Sequence, residues 1–403
     1  MDSTSTTLPQ VVVDDRAARR IRGGHPWAYA NEVTNQTALR EVPSGALTML
    51  RDGQGRTLAL AGYNRHSLIA ARVMARRGEL APGEPIGRAF FARRIAAAVG
   101  LRERFFDRPY YRAVHAEADG LPGLVIDRHG DVVVLQFNAA AMALLEDEVI
   151  AAVREVLVPA TLVLRNDSAA REHEGLERTV RVHGSAIDGP VVVEENGVRF
   201  RADALHGQKT GWFYDQRPSR SRIAGLAAGA RVLDLYSHTG GFALRAAASG
   251  AESVTAVDSS GDALDLARRA ADENGLDERC IFRRSDVFAE LERLNGGAER
   301  FDIVVADPPA FVKSKKALTQ GLRGYYKLAR AAQILVRPGG FLYLASCSHH
   351  VDRDAFMGEV RKALGTAGRS ARIVAADAAG PDHPVHPQLP ESEYLKSVLL
   401  QLD

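Results

Sequence analysis

The stretch from Arg231 to Asp258, RVLDLYSHTGGFALRAAASGAESVTAVD, constrains this chain more than any other. An apolar run at Val232, Leu233 and Leu235, broken by Asp234, predicts a short buried strand. Thr239-Gly240-Gly241 predicts a tight turn, FALRAAA a helix start, and SVTAV a second strand ending on the acid Asp258. Strand, turn, helix and strand make a right-handed βαβ unit, and such units bind ligands at the carboxyl edge of their sheet. Glycine lets the backbone approach a ligand closely, and a carboxylate at Asp258 can accept from both hydroxyls of a ribose. The spacing G-x-G-x-x-G is missing, which argues against a pyrophosphate on the turn. A cofactor with ribose and adenine but no phosphate fits better, and S-adenosylmethionine is the leading candidate. Asp234, Tyr236, Thr239, Gly240, Gly241 and Asp258 are then its candidate contacts; a purely structural βαβ unit is the alternative.

A chain of 403 residues is too long for one ordinary core and predicts two or three domains. No apolar run approaches the ~18 residues that span a membrane, and MDSTSTTLPQ has neither the basic nor the apolar region of an export signal. Two cysteines, Cys280 and Cys347, make no disulfide framework and suit a reducing cytoplasm. The net charge of +2 says little, but its distribution says more. Residues 1–110 carry 17 Arg and no Lys against 10 acids, a local charge near +7. Arginine offers forked donors for phosphate, so a nucleic-acid surface and an ordinary solvated face are both open there.

Short β-type runs with glycine turns occupy the chain up to about Arg77, predicting a small β-barrel over residues 1–77. GELAPGEP reads as a linker. Two strands around His129-Gly130-Asp131, an amphipathic helix (AAMALLEDEVIAAVREVL) and the strand TLVLRND predict a small α+β domain over 78–185. PVVVEENGVRFRAD is a hairpin turning on Asn196-Gly197. Alternating strands and helices over 186–403 then predict one α/β parallel sheet of Rossmann-like type. Its last two strands, ARIVAADA and YLKSVLLQL, lack an intervening helix and are expected to pair antiparallel.

Two further stretches carry chemistry. FDIVVADPPAFV delivers Asp307 at a strand end, stiffened by Pro308-Pro309. A carboxylate there can accept from the exocyclic amine of cytosine, and Asp307 is also a candidate contact of the cofactor. In enzymes that methylate such amines an aromatic follows the second proline; here Ala310 does, and Phe311 comes one later, which counts against N-methylation. GGFLYLASCSHHV ends a strand at Cys347. A thiolate adding to carbon 6 of cytosine would make carbon 5 nucleophilic, splitting one hard step into easier ones. Cys280 lacks such surroundings and reads as core. Cys347, His349, His350 and Asp352 have no second cluster to complete a tetrahedral zinc set, so no metal is expected. HGQKTGWFYDQRPSR, with Lys209 and Gln216, suggests a cap over the cofactor or a hydrogen-bonded helix start. Lys313, Lys315, Arg323 and Tyr325 interleave charge with aromatics, as an RNA backbone and an unstacked base require; with Lys209 and Lys396 they form the candidate RNA set, and a solvated helix face is the alternative.

Taken in order, HAEADGLPGLVIDRHGD, RNDSAAREHEGL, ENGVRF, GQKTGWFYDQR, DLYSHTGGF, DPPAF, SCS, DHPV and PESEYLK resemble the bacterial 23S ribosomal RNA 5-methylcytosine methyltransferases of the RlmI type. They span about residues 110–396, and HPWAYANEV resembles the start of that family's PUA-like domain. The resemblance implies a PUA-like RNA-binding domain, a middle α+β domain and a class I methyltransferase domain. It implies Cys347 as nucleophile, Asp307 on the cytosine edge, Asp258 on the cofactor ribose, Asp286 on its adenine amine, and Gln216 with the Gly240 turn beside its methionine part. Related two-cysteine enzymes carry a second Cys where Ala310 stands, so the base that removes the carbon 5 proton is unassigned. The implied partner is 23S ribosomal RNA or a pre-50S particle, without a membrane; a homodimer is left open. A guanine amine as acceptor, or a non-catalytic ribosome assembly factor, are the competing readings.

Overall fold

The computed structural model describes residues 8–81 and 83–403; most of the polar N-terminal tail and Pro82 of the expected linker lie outside them. The chain divides into two compact units. The first comprises residues 1–189, 203–212 and 381–392, and the second residues 190–202, 213–380 and 393–403. The expected barrel and middle domain therefore share one unit, and two short segments expected in the last domain join them.

The first unit holds two five-stranded sheets. In one, strands 10–13, 47–52, 57–63, 71–76 and 27–28 lie side by side in that order, with 10–13 parallel to 47–52. In the other the order is 179–184, 161–166, 132–137, 124–129 and 110–115. Gly130, at φ +66°, makes the turn expected after His129. Helices Arg88–Arg102 and Glu146–Leu157 cover the second sheet through Phe90, Phe91, Ile95, Val149 and Val153, all buried. Much of the N-terminal arginine excess is spent inside this unit. Arg72 reaches both Glu117 (2.7 Å) and Glu174 (3.1 Å), and Arg102, fully buried, pairs with Asp119 at 2.6 Å.

The second unit is built on a seven-stranded sheet: β1 Arg231–Leu235, β2 Ser253–Asp258, β3 Cys280–Arg284, β4 Phe301–Ala306, β5 Val336–Ser346, β6 Ala371–Asp377 and β7 Lys396–Leu402. Their order is β3-β2-β1-β4-β5-β7-β6. The first five are parallel. β7 runs antiparallel to both neighbours, as expected of the last two strands, so the sheet is mixed rather than wholly parallel. Near-continuous burial along β1, β2 and β4 is that of strands covered on both faces. Helices Val287–Asn295, Leu318–Ile334 and Arg353–Ala367 cover one face, packing Leu291, Leu328, Ala332, Phe356 and Val360 on Leu233, Leu235 and Val304.

Three of the crossover helices start on side-chain caps. Ser260, Asp286 and Asp352 accept from the backbone N–H three residues on, at 3.2, 3.1 and 2.7 Å. The hairpin of Val191–Glu195 and Val198–Ala202 turns through Asn196 and Gly197, both at positive φ. Its buried Glu195 takes two bonds from Arg220 (2.7 and 2.5 Å) on helix Arg217–Ala224. Because Gln216 immediately precedes that helix, the buried ion pair fixes where Gln216 sits.

Candidate active site

β1 is hydrogen-bonded to β2 on one side and β4 on the other, so the chain leaves it in opposite directions, and a crevice opens at its carboxyl end. Five expected residues stand at or just beyond these strand ends: Tyr236 after β1, Asp258 ending β2, Asp286 after β3, Asp307 after β4 and Cys347 after β5.

The loop after β1 is held in an unusual shape. Tyr236 and His238 adopt φ of +62° and +49°, a region that non-glycine residues rarely enter, followed by Gly240 at +81°. Backbone bonds hold it there: Ser237 N–H donates to Val257 O at 3.0 Å and Gly240 N–H to Ser237 O at 2.8 Å. The Asp258 carboxylate accepts from His238 N at 2.8 Å and Ser260 N at 2.9 Å, one per oxygen. Each oxygen keeps a second lone pair. Asp286 is exposed; one of its oxygens caps its helix. Thr239 is buried in the turn, and a Cβ on Gly240 would meet Ala267 Cβ at 3.1 Å.

Asp234 lies beneath this loop. Its Oδ2 accepts from Ala243 N at 2.9 Å, while its Oδ1 is buried with no hydrogen-bond partner. Burial, reinforced by the charges of Asp307 and Asp258, holds its carboxyl well above the usual carboxylate range. Three carboxylates thus gather at the centre of the edge. Burial and the nearby Asp286 and Asp258 also push the Tyr236 phenol up. Gln216, buried, accepts from the Tyr343 hydroxyl at 2.9 Å.

The Asp307-Pro308-Pro309 turn runs into Phe311, whose ring lies 4.8 Å from Tyr325 and 6.5 Å from both Tyr236 and Phe288. Gly321 and Gly324 make room for it. A Cβ at Gly321 would stand 2.2 Å from Val312 Cγ2, and one at Gly324 2.9 Å from the Phe311 ring. Cys347 is half-buried between two buried serines, Ser346 and Ser348. Cys280 is half-buried rather than core. It begins β3, at the opposite edge of the sheet from Cys347, and burial pushes its thiol up to about 12.

The candidate RNA residues do not stay together. Lys313, Lys315 and Arg323 are exposed around the start of helix Leu318–Ile334. Tyr325, on the same helix, is 2% exposed, with its hydroxyl bonded to Ser346 and Ser348. Lys396 is 4% exposed and donates to the carbonyls of Ser348 (2.7 Å) and Val351 (2.6 Å). Neither is placed to meet a base or a phosphate. Lys209 is exposed and belongs to the first unit, whereas Gln216 belongs to the second. The residues that sequence reasoning missed are Gly321 and Gly324. Their three-residue spacing on a basic helix was the available signal.

Fold and site together define a methyltransferase that uses S-adenosylmethionine. The residues present fit this cationic cofactor: the buried Asp234 oxygen without a hydrogen-bond partner lies close to the charges of Asp258 and Asp307, a surplus of carboxylate that a sulfonium and an ammonium would offset. A family model described as S-adenosylmethionine-dependent methyltransferase matches residues 155–383, and one for a PUA-like domain matches residues 11–76. The chain is 36% identical over 382 residues to the ribosomal RNA large subunit methyltransferase I of Aeromonas salmonicida, covering 94% of this chain and 95% of that one. To its namesake in Klebsiella pneumoniae subsp. pneumoniae it is 35% identical, covering 98% of each. The chain belongs to this family. The crystal structure of SMU.776 complexed with SAH has the same fold, with a TM-score of 0.83 at 20% identity over 98% of this chain and 100% of that one.

Two helical glycines give opposite expectations. Gly321→Ala gains about 1 kcal/mol of helix propensity but forces Val312 and Phe311 aside, at about 1–3 kcal/mol, and is expected to lower stability. Gly358, on helix Arg353–Ala367 with open space around it, should accept alanine with a gain. Urea unfolding of both variants checks this; a stabilised Gly321→Ala would contradict the packing described for Phe311.

Proposed function

We propose that this chain methylates carbon 5 of a cytosine in large-subunit ribosomal RNA, through a transient bond between Cys347 and carbon 6 of the base. The relatives named for ribosomal RNA of the large subunit support the acceptor. The observation that carries the chemistry is the position of Cys347, half-exposed at the same sheet edge as Asp307, Asp258 and Asp286.

S-adenosylmethionine, when bound, supplies an electrophilic methyl on a positive sulfur. Asp258 would hold its ribose hydroxyls, Asp286 its adenine amine, Gln216 and the Gly240 turn would flank its methionine portion, and Asp234, Tyr236, Thr239, Gly241 and Asp307 would complete its contacts. Asp307 accepts from the exocyclic amine of a cytosine taken out of its stack. The Cys347 thiolate forms a bond to carbon 6, and the electron pair of the ring double bond moves to carbon 5, which would take the methyl as the methyl–sulfur bond breaks and its electron pair stays on the now neutral sulfur. Loss of the carbon 5 proton restores the double bond and expels the thiolate. Ala310 offers no second thiol for these steps, and Cys280, at the far edge of the sheet, offers none either. The proton therefore leaves to Asp307 or to a water. The PUA-like domain and the exposed Lys313, Lys315 and Arg323 hold the RNA backbone.

RNA carrying 5-fluorocytosine blocks the last step, because fluorine cannot leave as a proton does. A covalent complex should appear with the wild type and S-adenosylmethionine and be absent with Cys347→Ala; trapping by the alanine variant would defeat the assignment.

Asp234 offers a separate test of the cofactor site. Its folded-state carboxyl lies above the unfolded value, so its ionisation opposes folding as pH rises through about 4. Asp234→Asn should therefore melt higher than the wild type at pH 7, with the difference fading towards about pH 4. The same variant should bind S-adenosylmethionine about tenfold more weakly by calorimetry, a loss of about 1.4 kcal/mol. Unchanged affinity would remove Asp234 from the cofactor site.

A further inference from the structure

Ser346, Cys347 and Ser348 follow one another where β5 ends, and the buried side chains around them form a continuous polar network. Ser346 Oγ donates to the Tyr325 hydroxyl at 2.8 Å, and that hydroxyl bonds Ser348 Oγ at 2.8 Å. Ser348 Oγ also accepts from Val312 N at 3.2 Å, tying this loop to the one that follows Asp307. One tyrosine hydroxyl thus grips the residues on both sides of Cys347.

Lys396 closes the network from the neighbouring strand. In the antiparallel register of β5 and β7 it stands opposite Ser346. Its ammonium is buried, and it bonds the Ser348 and Val351 carbonyls, which belong to one tight turn closed by Val351 N–H on Ser348 O at 3.2 Å. A buried ammonium with only carbonyl acceptors is costly unless an anion lies close. The groups within electrostatic reach of it are Cys347, Asp352 and Glu393 as anions and Arg353 as a like charge. Asp352 and Glu393 are exposed and screened by solvent; the Cys347 thiol is half-buried.

We propose that Lys396 and Tyr325 are positioning residues for Cys347: Tyr325 fixes the direction of its side chain by holding both flanking serines, and Lys396 supplies the buried counter-charge that keeps it as a thiolate. This rests on the reading of Cys347 as nucleophile for its purpose, but not for its physics. Burial brings the Lys396 ammonium down to about 8, so it is charged at neutral pH and loses its charge, and its hold on the thiolate, as pH rises through that value. A free thiol is only a few per cent ionised at neutral pH, and a neighbouring cation shifts that balance by about one pH unit or more.

The test is the pH dependence of iodoacetamide alkylation at Cys347, read by peptide mass spectrometry in full-length protein without RNA. The wild type should show a midpoint below about 8.5, the value of a free thiol. Lys396→Gln keeps donors for the carbonyls and loses the charge; its midpoint should rise by about one unit. Lys396→Arg should restore the low midpoint. Tyr325→Phe should leave the midpoint where it is while lowering kcat about tenfold at unchanged KM for RNA. A wild-type midpoint at or above about 8.5, or one that Lys396→Gln does not move, overturns the proposal. The first of these outcomes stands even if the glutamine variant does not fold. Because alkylation involves no methyl transfer, a shifted midpoint together with normal activity of Cys347→Ala would leave the counter-charge intact and refute only the nucleophile.

Discussion

Parallel pairing of β1 with both β2 and β4 is the constraint on which the rest depends. It puts the crossovers on the β2 side and those on the β4 side on opposite faces of the sheet, the arrangement that leaves a crevice at the carboxyl ends of the strands. Register then does the placing: Leu235, Val257 and Ala306 lie abreast, so the residues just beyond them, Tyr236, Asp258 and Asp307, reach one edge together. Each is polar where the strand behind it is apolar. Burial first, and then the charges of Asp307 and Asp258, hold Asp234 above the usual carboxylate range.

A second theme is the use of buried charge as internal structure. The Glu195–Arg220 pair anchors the segment bearing Gln216, and Lys396 crosses from β7 to hold the turn after β5. In the first unit Arg72 joins Glu117 and Glu174, and its guanidinium lies 5.3 Å from the Trp27 ring. Breaking one partner of such pairs leaves an uncompensated buried charge, which costs far more than a surface pair contributes. Charge counted along the sequence therefore overstates what is available to RNA.

What the sequence displayed was local. Strand, glycine turn and terminal acid at 231–258 and the Asn196-Gly197 hairpin have signals within a few residues, and the structure contains them. Burial of Lys396 and Tyr325 could not be read in the same way. Lys396 is inside because β7 inserts antiparallel between β5 and β6, a pairing with residues some fifty positions away that no periodicity encodes. Tyr325 sits on a helix whose charges suggest solvent, yet Gly321 and Gly324 turn that face against the Phe311 loop. The division into two units was hidden for a similar reason, since residues 203–212 and 381–392 join the first unit from across the chain.

The most direct measurement is a nucleoside-resolved methylation map of large-subunit ribosomal RNA from cells with and without this protein, with Cys347→Ala as a third sample. The expected result is a single 5-methylcytidine that is present with the wild type and missing in the other two. An unchanged map, or the loss of a methylated guanosine instead, would contradict the chemistry assigned to the sulfur at the end of β5.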